Sequence, residues 1–178
     1  MKAAKSEAVK IDYQKLWFAL GTAVYVAITT TLFYLSASSV EDATKIFWLA
    51  AGLIEGTLFF LFIVPPLLTS HLAGDKGLRL HMGLLINETI PYDWIRETKQ
   101  TTIHWGAVKV GIGVRYSSIT KALFVTSSFN NLITIKLGQE HAIGRVFRKP
   151  VSEIVVSVSF ARGFLDVMSQ RAGQKREV

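Results

Sequence analysis

The chain has 178 residues, half of them apolar, and 20 Lys and Arg against 13 Asp and Glu give a formal net charge of +7. That length allows one ordinary domain, or a small domain with an anchor, and the lack of cysteine excludes disulfides and thiolate metal sites. The positive balance points to an anionic partner, nucleic acid or an anionic lipid surface. Because the apolar residues are concentrated before residue 70, lipid is the simpler reading.

Residues 1–16 read as a cytoplasmic N-terminal segment carrying Lys2, Lys5, Lys10 and Lys15. Trp17–Leu35 follows, 19 residues without a charge, and Ile46–Leu68 is a second run of 23 residues with Glu55 as its one charge. Roughly 20 helical residues cross a hydrocarbon core of about 30 Å, so residues 17–68 are expected to form a transmembrane helical hairpin. Trp17, Tyr34 and Trp48 sit near the segment ends, where aromatic belts form. Pro65-Pro66 should end or kink the second helix, because proline lacks the amide and clashes with the preceding turn. A cleaved signal peptide with Ser36-Ala37-Ser38 as its processing site is the rival reading. The apolar run exceeds the usual roughly 7–15 residues of such a peptide, and a second span follows at once. The loop between the runs carries Lys45 beside Glu41 and Asp42, whereas both flanks are rich in lysine and arginine. The positive-inside rule therefore predicts a multi-pass protein of the cell (inner, cytoplasmic) membrane with both termini in the cytoplasm.

Small residues recur every four positions at Ala19, Ala23 and Ala27 and again at Gly52 and Gly56, which would let helices approach closely within the hairpin or in a homo-oligomer. An ionised Glu55 near the bilayer centre would cost roughly 2.5 kcal/mol or more. It should be neutral or face protein, with Tyr25, Thr29 and Thr30 at about its depth as donors.

From Thr69 to the C-terminus, residues 69–178, the periodicity changes to two, the mark of half-buried strands. Leu78, Leu80, Met82, Leu84 and Ile86 alternate with Arg79, His81, Gly83, Leu85 and Asn87 after a turn at Gly74–Gly77. Val108, Val110, Ile112, Val114 and Tyr116 form the cleanest alternation. Further strands fit 94–100, 123–127, 132–137 and 154–160. After Phe160 the spacing of Phe164, Leu165 and Met168 predicts an amphipathic helix that would cover one opening of a curved sheet.

The block GDKGLRLHMGLLINETIPYDWI (Gly74 to Ile95), the glycine-containing strand VGIGV and the closing FARGFLDVMSQR resemble the pleckstrin-homology-like (PH-like) membrane proteins of bacteria and archaea. The resemblance covers roughly residues 66–172. It implies a mainly-β domain, a bent seven-stranded sheet or partial barrel capped by a C-terminal helix, and it implies no enzyme activity.

The sequence offers no catalytic constellation and no cofactor motif. His71, His81, His104 and His141 are far apart along the chain, and none forms an HExxH pair. Gly111-Ile-Gly113 lacks the third glycine of a dinucleotide loop, and the sequon Asn87-Glu-Thr89 falls in a strand expected in the cytoplasm. The site-like signal is basic: Arg145, Arg148 and Lys149 around Phe147 in a loop, with Lys76 and Arg79 on the first hairpin. Cations near the membrane are attracted to anionic lipid by about 1 kcal/mol each. Nucleic acid is disfavoured because aromatics are not grouped with the charges in the way that single-strand stacking would favour. The expectation is a non-enzymatic anchored module that binds anionic lipid headgroups or recruits a protein partner. The alternatives are an accessory subunit of a larger membrane complex, and a small oligomeric proton or ion conductor using Glu55.

Overall fold

The computed structural model describes residues 8–101, 112–144 and 148–174. Two helices, α1 (Leu16–Ser38) and α2 (Asp42–Phe62), lie side by side, joined by the short turn Ser39–Glu41. At about 1.5 Å per residue each exceeds 30 Å, and both are long and apolar enough to cross a membrane. The helices extend further toward each other than the apolar runs do, because Ser36 Oγ donates to the Lys45 carbonyl and Asp42 sits favourably in the first turn of α2. Their threonines do not leave bare hydroxyls. Thr22, Thr30, Thr31 and Thr57 each donate to the carbonyl four residues back, which satisfies the hydroxyl inside the helix itself. A bend at Ile63 separates α2 from the single turn α3 (Val64–Leu68), where the two prolines were expected to end or kink the helix.

The contact face of the hairpin is only partly the one the small residues predict. Gly52 is buried against Leu32 and Phe33 of α1, where a Cβ would already be in van der Waals contact. Gly56 has open space around its Cα, and Ala19, Ala23 and Ala27 are all exposed on the outside of α1. The residues that turn toward α2 are instead Thr22, Tyr25, Thr29 and Leu32, with Tyr25 stacking at 5.7 Å on Phe59. Glu55 is inside this contact, where its Oε2 accepts from Thr29 Oγ1, one of the three donors anticipated. Among the described residues its buried Oε1 has no hydrogen-bond partner.

The rest of the described chain is mainly β. One sheet has the order β1-β2-β3-β4, from Val9–Ile11, His71–Ala73, Leu78–Met82 and Ile86–Ile90. The other has the order β5-β8-β9-β7-β6, from β5 (Ile95–Thr101), β6 (Gly113–Ser117), β7 (Ala122–Thr126), β8 (Leu132–Ile143) and β9 (Lys149–Ser157). The sheets do not close on each other. Their facing sides share one apolar core: Leu78, Leu80, Met82 and Ile90 from the first, and Val125, Ile133, Ile135, Ile154 and Val156 from the second. Helix α4 (Ala161–Gln174) inserts Phe164 and Met168 into that core, and Arg171 reaches Asp75 at 3.0 Å.

Two features depart from the linear reading. The alternation Leu78–Asn87 is not one strand. Gly83, at φ +55°, reverses the chain between β3 and β4, so Leu84 points outward, 67% exposed, while Ile86 returns to the core. Moreover, the segment ahead of the helices belongs to the β region. Strand β1 pairs antiparallel with β2, with Ile11 opposite His71, so the hairpin is inserted between two neighbouring strands. Both ends of the hairpin thus emerge at the same end of the molecule. The strand predicted over 108–116 is described only from Gly113; residues 102–111 lie outside the described residues.

Candidate functional site

The junction between anchor and β region is polar and closely bonded. Tyr13, 1% exposed, donates to the Pro66 carbonyl at 2.5 Å and is 2.9 Å from Thr69 Oγ1. Thr69 Oγ1 also accepts the backbone N–H of Gly83 at 2.8 Å, which holds the β3–β4 turn on Pro65-Pro66. Lys15 Nζ donates to the Leu67 carbonyl at 2.7 Å, and the Ser159 N–H donates to the Asp12 carbonyl at 2.8 Å. Trp17, at the start of α1, meets Phe129 edge-to-face at 6.4 Å. Two loops of the β region, at Leu84 and at Phe129, are therefore held beside the base of the helices.

The same junction buries His71 completely. Its Nδ1 accepts the His81 N–H at 3.1 Å, so the neutral ring carries its proton on Nε2, which has no partner among the described residues. Burial, and then the nearby His81, hold its pKa down to about 4. The fold has thus brought together two histidines ten positions apart in the chain. Among the described residues no group of three or more His, Asp or Glu could hold a metal ion.

Beside the β3–β4 turn lies a cavity of about 530 Å³. It runs between β4 and β6, the edge strands of the two sheets. Its apolar wall comes from Leu85, Ile86, Val114, Leu123, Ile143 and Val151, and Glu88, Tyr116 and Lys149 are on that side. His81, Asn87 and Arg115 border it at the strand edges, with their side chains on the other faces of their sheets. Tyr116 is oriented by donating to the Pro150 carbonyl at 2.8 Å. Gly83 and Leu84 form the end of the cavity nearest the anchor. Burial and the charge of Arg79 lower the pKa of His81, which favours the neutral ring. An apolar wall with a few convergent charges is the form of a small-ligand site.

The five basic residues singled out by sequence are not one cluster. Lys149 opens β9 and lines the cavity, so it stands in a strand and not in a loop. Arg79 lies nearby, its Nε donating at 2.8 Å to Oδ1 of Asn87. Arg148 is exposed just before β9, and Lys76 is exposed in the β2–β3 turn. Arg145 lies outside the described residues. Glu88 went unnoticed as a site residue, because it reads locally as the ordinary polar member of an alternating strand. No family model, curated protein or solved structure matches the chain.

Proposed function

We propose that this protein is a membrane-anchored, non-enzymatic, PH-like module of the cytoplasmic membrane whose edge cavity binds the headgroup of a phospholipid at the cytoplasmic face. The carrying observation is the position of that cavity. It holds Lys149 on an apolar wall and begins at the turn bonded to Pro65-Pro66. A lipid could reach it without leaving the bilayer. Exposed Leu84 and Phe129, held at the base of the helices, add an apolar seat on either side of the junction. The PH-like reading is supported by the two open sheets with one core and by α4 packed into it.

The direct test uses the full chain, purified in neutral detergent and titrated with phospholipid while bound lipid is counted by native mass spectrometry. Lys149→Ala should weaken phospholipid binding up to about fivefold, taking about 1 kcal/mol for the cation. The side chain is exposed, so its loss should leave thermal stability within about 0.5 kcal/mol of wild type. Equal lipid retention by the two proteins would remove the cavity from the proposal.

Orientation has its own test. The hairpin turn carries Val40, 94% exposed, and the β6–β7 turn carries Ile119, 93% exposed. In the cysteine-free chain, Val40→Cys should react with an impermeant thiol reagent on intact cells, and Ile119→Cys should react only after lysis. Labelling of Ile119→Cys alone would reverse the orientation, and labelling of both would argue against a spanning hairpin.

A further inference from the structure

The charges inside the cavity carry more than an attraction for anions. Glu88 lies opposite Leu80 in the β3–β4 register, and residues directly opposite in an antiparallel pair share a face. Leu80 is fully buried, and Ile86 and Ile90, two positions either side of Glu88, are 7% and 1% exposed. A carboxylate therefore occupies the inward-facing position where the alternation of β4 calls for an apolar side chain. It is half-buried, and among the described residues it makes no ion pair; nor does Lys149. Acid and base line the same cavity without joining each other.

Withdrawing a carboxylate from water is unfavourable unless a positive group or several donors replace the water. A ligand with negative charge only would satisfy Lys149 and leave Glu88 facing like charge. A ligand with a cation beyond its phosphate would match both ends. Resting on the lipid reading above, we infer that the cavity takes an amino-phospholipid headgroup, with its phosphate at Lys149 and its ammonium at Glu88. Phosphatidylethanolamine and phosphatidylserine carry that pair of charges; phosphatidylglycerol and phosphatidic acid lack the ammonium.

The test is a titration of the full chain in neutral detergent with these four lipids, matched in acyl chains and followed by native mass spectrometry. Wild type should bind the two amino-phospholipids about tenfold or more tighter than phosphatidylglycerol. Glu88→Gln should abolish that preference while keeping or raising phosphatidylglycerol binding, whereas Lys149→Ala should weaken all four. Equal or tighter binding of phosphatidylglycerol and phosphatidic acid by wild type would overturn the headgroup assignment and leave the lipid reading standing. Binding of none of the four would overturn the lipid reading itself. Should Glu88→Gln fail to fold, the order of the four lipids on wild type decides the question alone.

Discussion

Gly83→Ala is expected to lower the melting temperature of the full chain in detergent by on the order of 10 °C. The residue has φ +55°, which costs an L-residue with a side chain about 1 kcal/mol. Its new Cβ would also stand 2.7 Å from Pro66 Cδ and 2.8 Å from Pro65 Cβ. Proline rings cannot rotate away, so the turn must lift off the anchor, and overpacking of this kind costs about 1–3 kcal/mol. The Gly83 N–H to Thr69 hydrogen bond is strained by the same movement. Together these come to roughly 3 kcal/mol, which sets the size of the melting shift. Gly74→Ala is the control, because a Cβ there meets nothing closer than 3.9 Å and should change little. If both variants melt with wild type by near-ultraviolet circular dichroism, the β3–β4 turn does not bear on Pro65-Pro66.

The second large effect is a loss of stability in acid that traces to His71. In the unfolded chain a histidine protonates near pH 6.5, whereas in the fold this one does so only near pH 4. Between those values the unfolded state binds a proton that the native state refuses, so stability falls as pH falls and levels off below about 4. The full difference is on the order of 3 kcal/mol. Asp12, held below the usual carboxylate range chiefly by its hydrogen bond from Ser70, acts in the same direction but at lower pH. His71→Gln keeps an acceptor for the His81 N–H and removes the titration. Melting curves at intervals from pH 7.5 to 4 should show a steep decline for wild type and a shallower one for His71→Gln. Parallel declines would assign the acid sensitivity to other groups.

The helical hairpin and α4 were legible in the sequence because a helix closes its hydrogen bonds within one segment. A charge-free run long enough for a bilayer, or apolar residues at helical spacing as at Phe164, Leu165 and Met168, are properties of neighbouring residues. The apolar strands were legible in part: 123–127 falls on β7, but β8 runs past the expected 132–137 to Ile143, and β9 starts at Lys149 and ends at Ser157, short of the expected Phe160. The proline pair also acted where it stands, ending α2 at Phe62 and opening α3.

Tertiary structure alone decided the rest. Strand β1 is three residues, Val-Lys-Ile, with no periodicity to read, and it is a strand because β2 lies beside it on the far side of the hairpin. Gly83 is one more apolar-run residue until the junction requires its positive φ. The cavity exists because β4 and β6 end their sheets next to each other, and that adjacency placed Glu88 and Lys149 around one space. Sequence determined which segments are long and apolar enough to cross a bilayer and which alternate, since those are short-range patterns of hydrophobicity. Which edges meet, and hence which charges share a site, depends on strand pairing over long separations, and no local pattern carries that information.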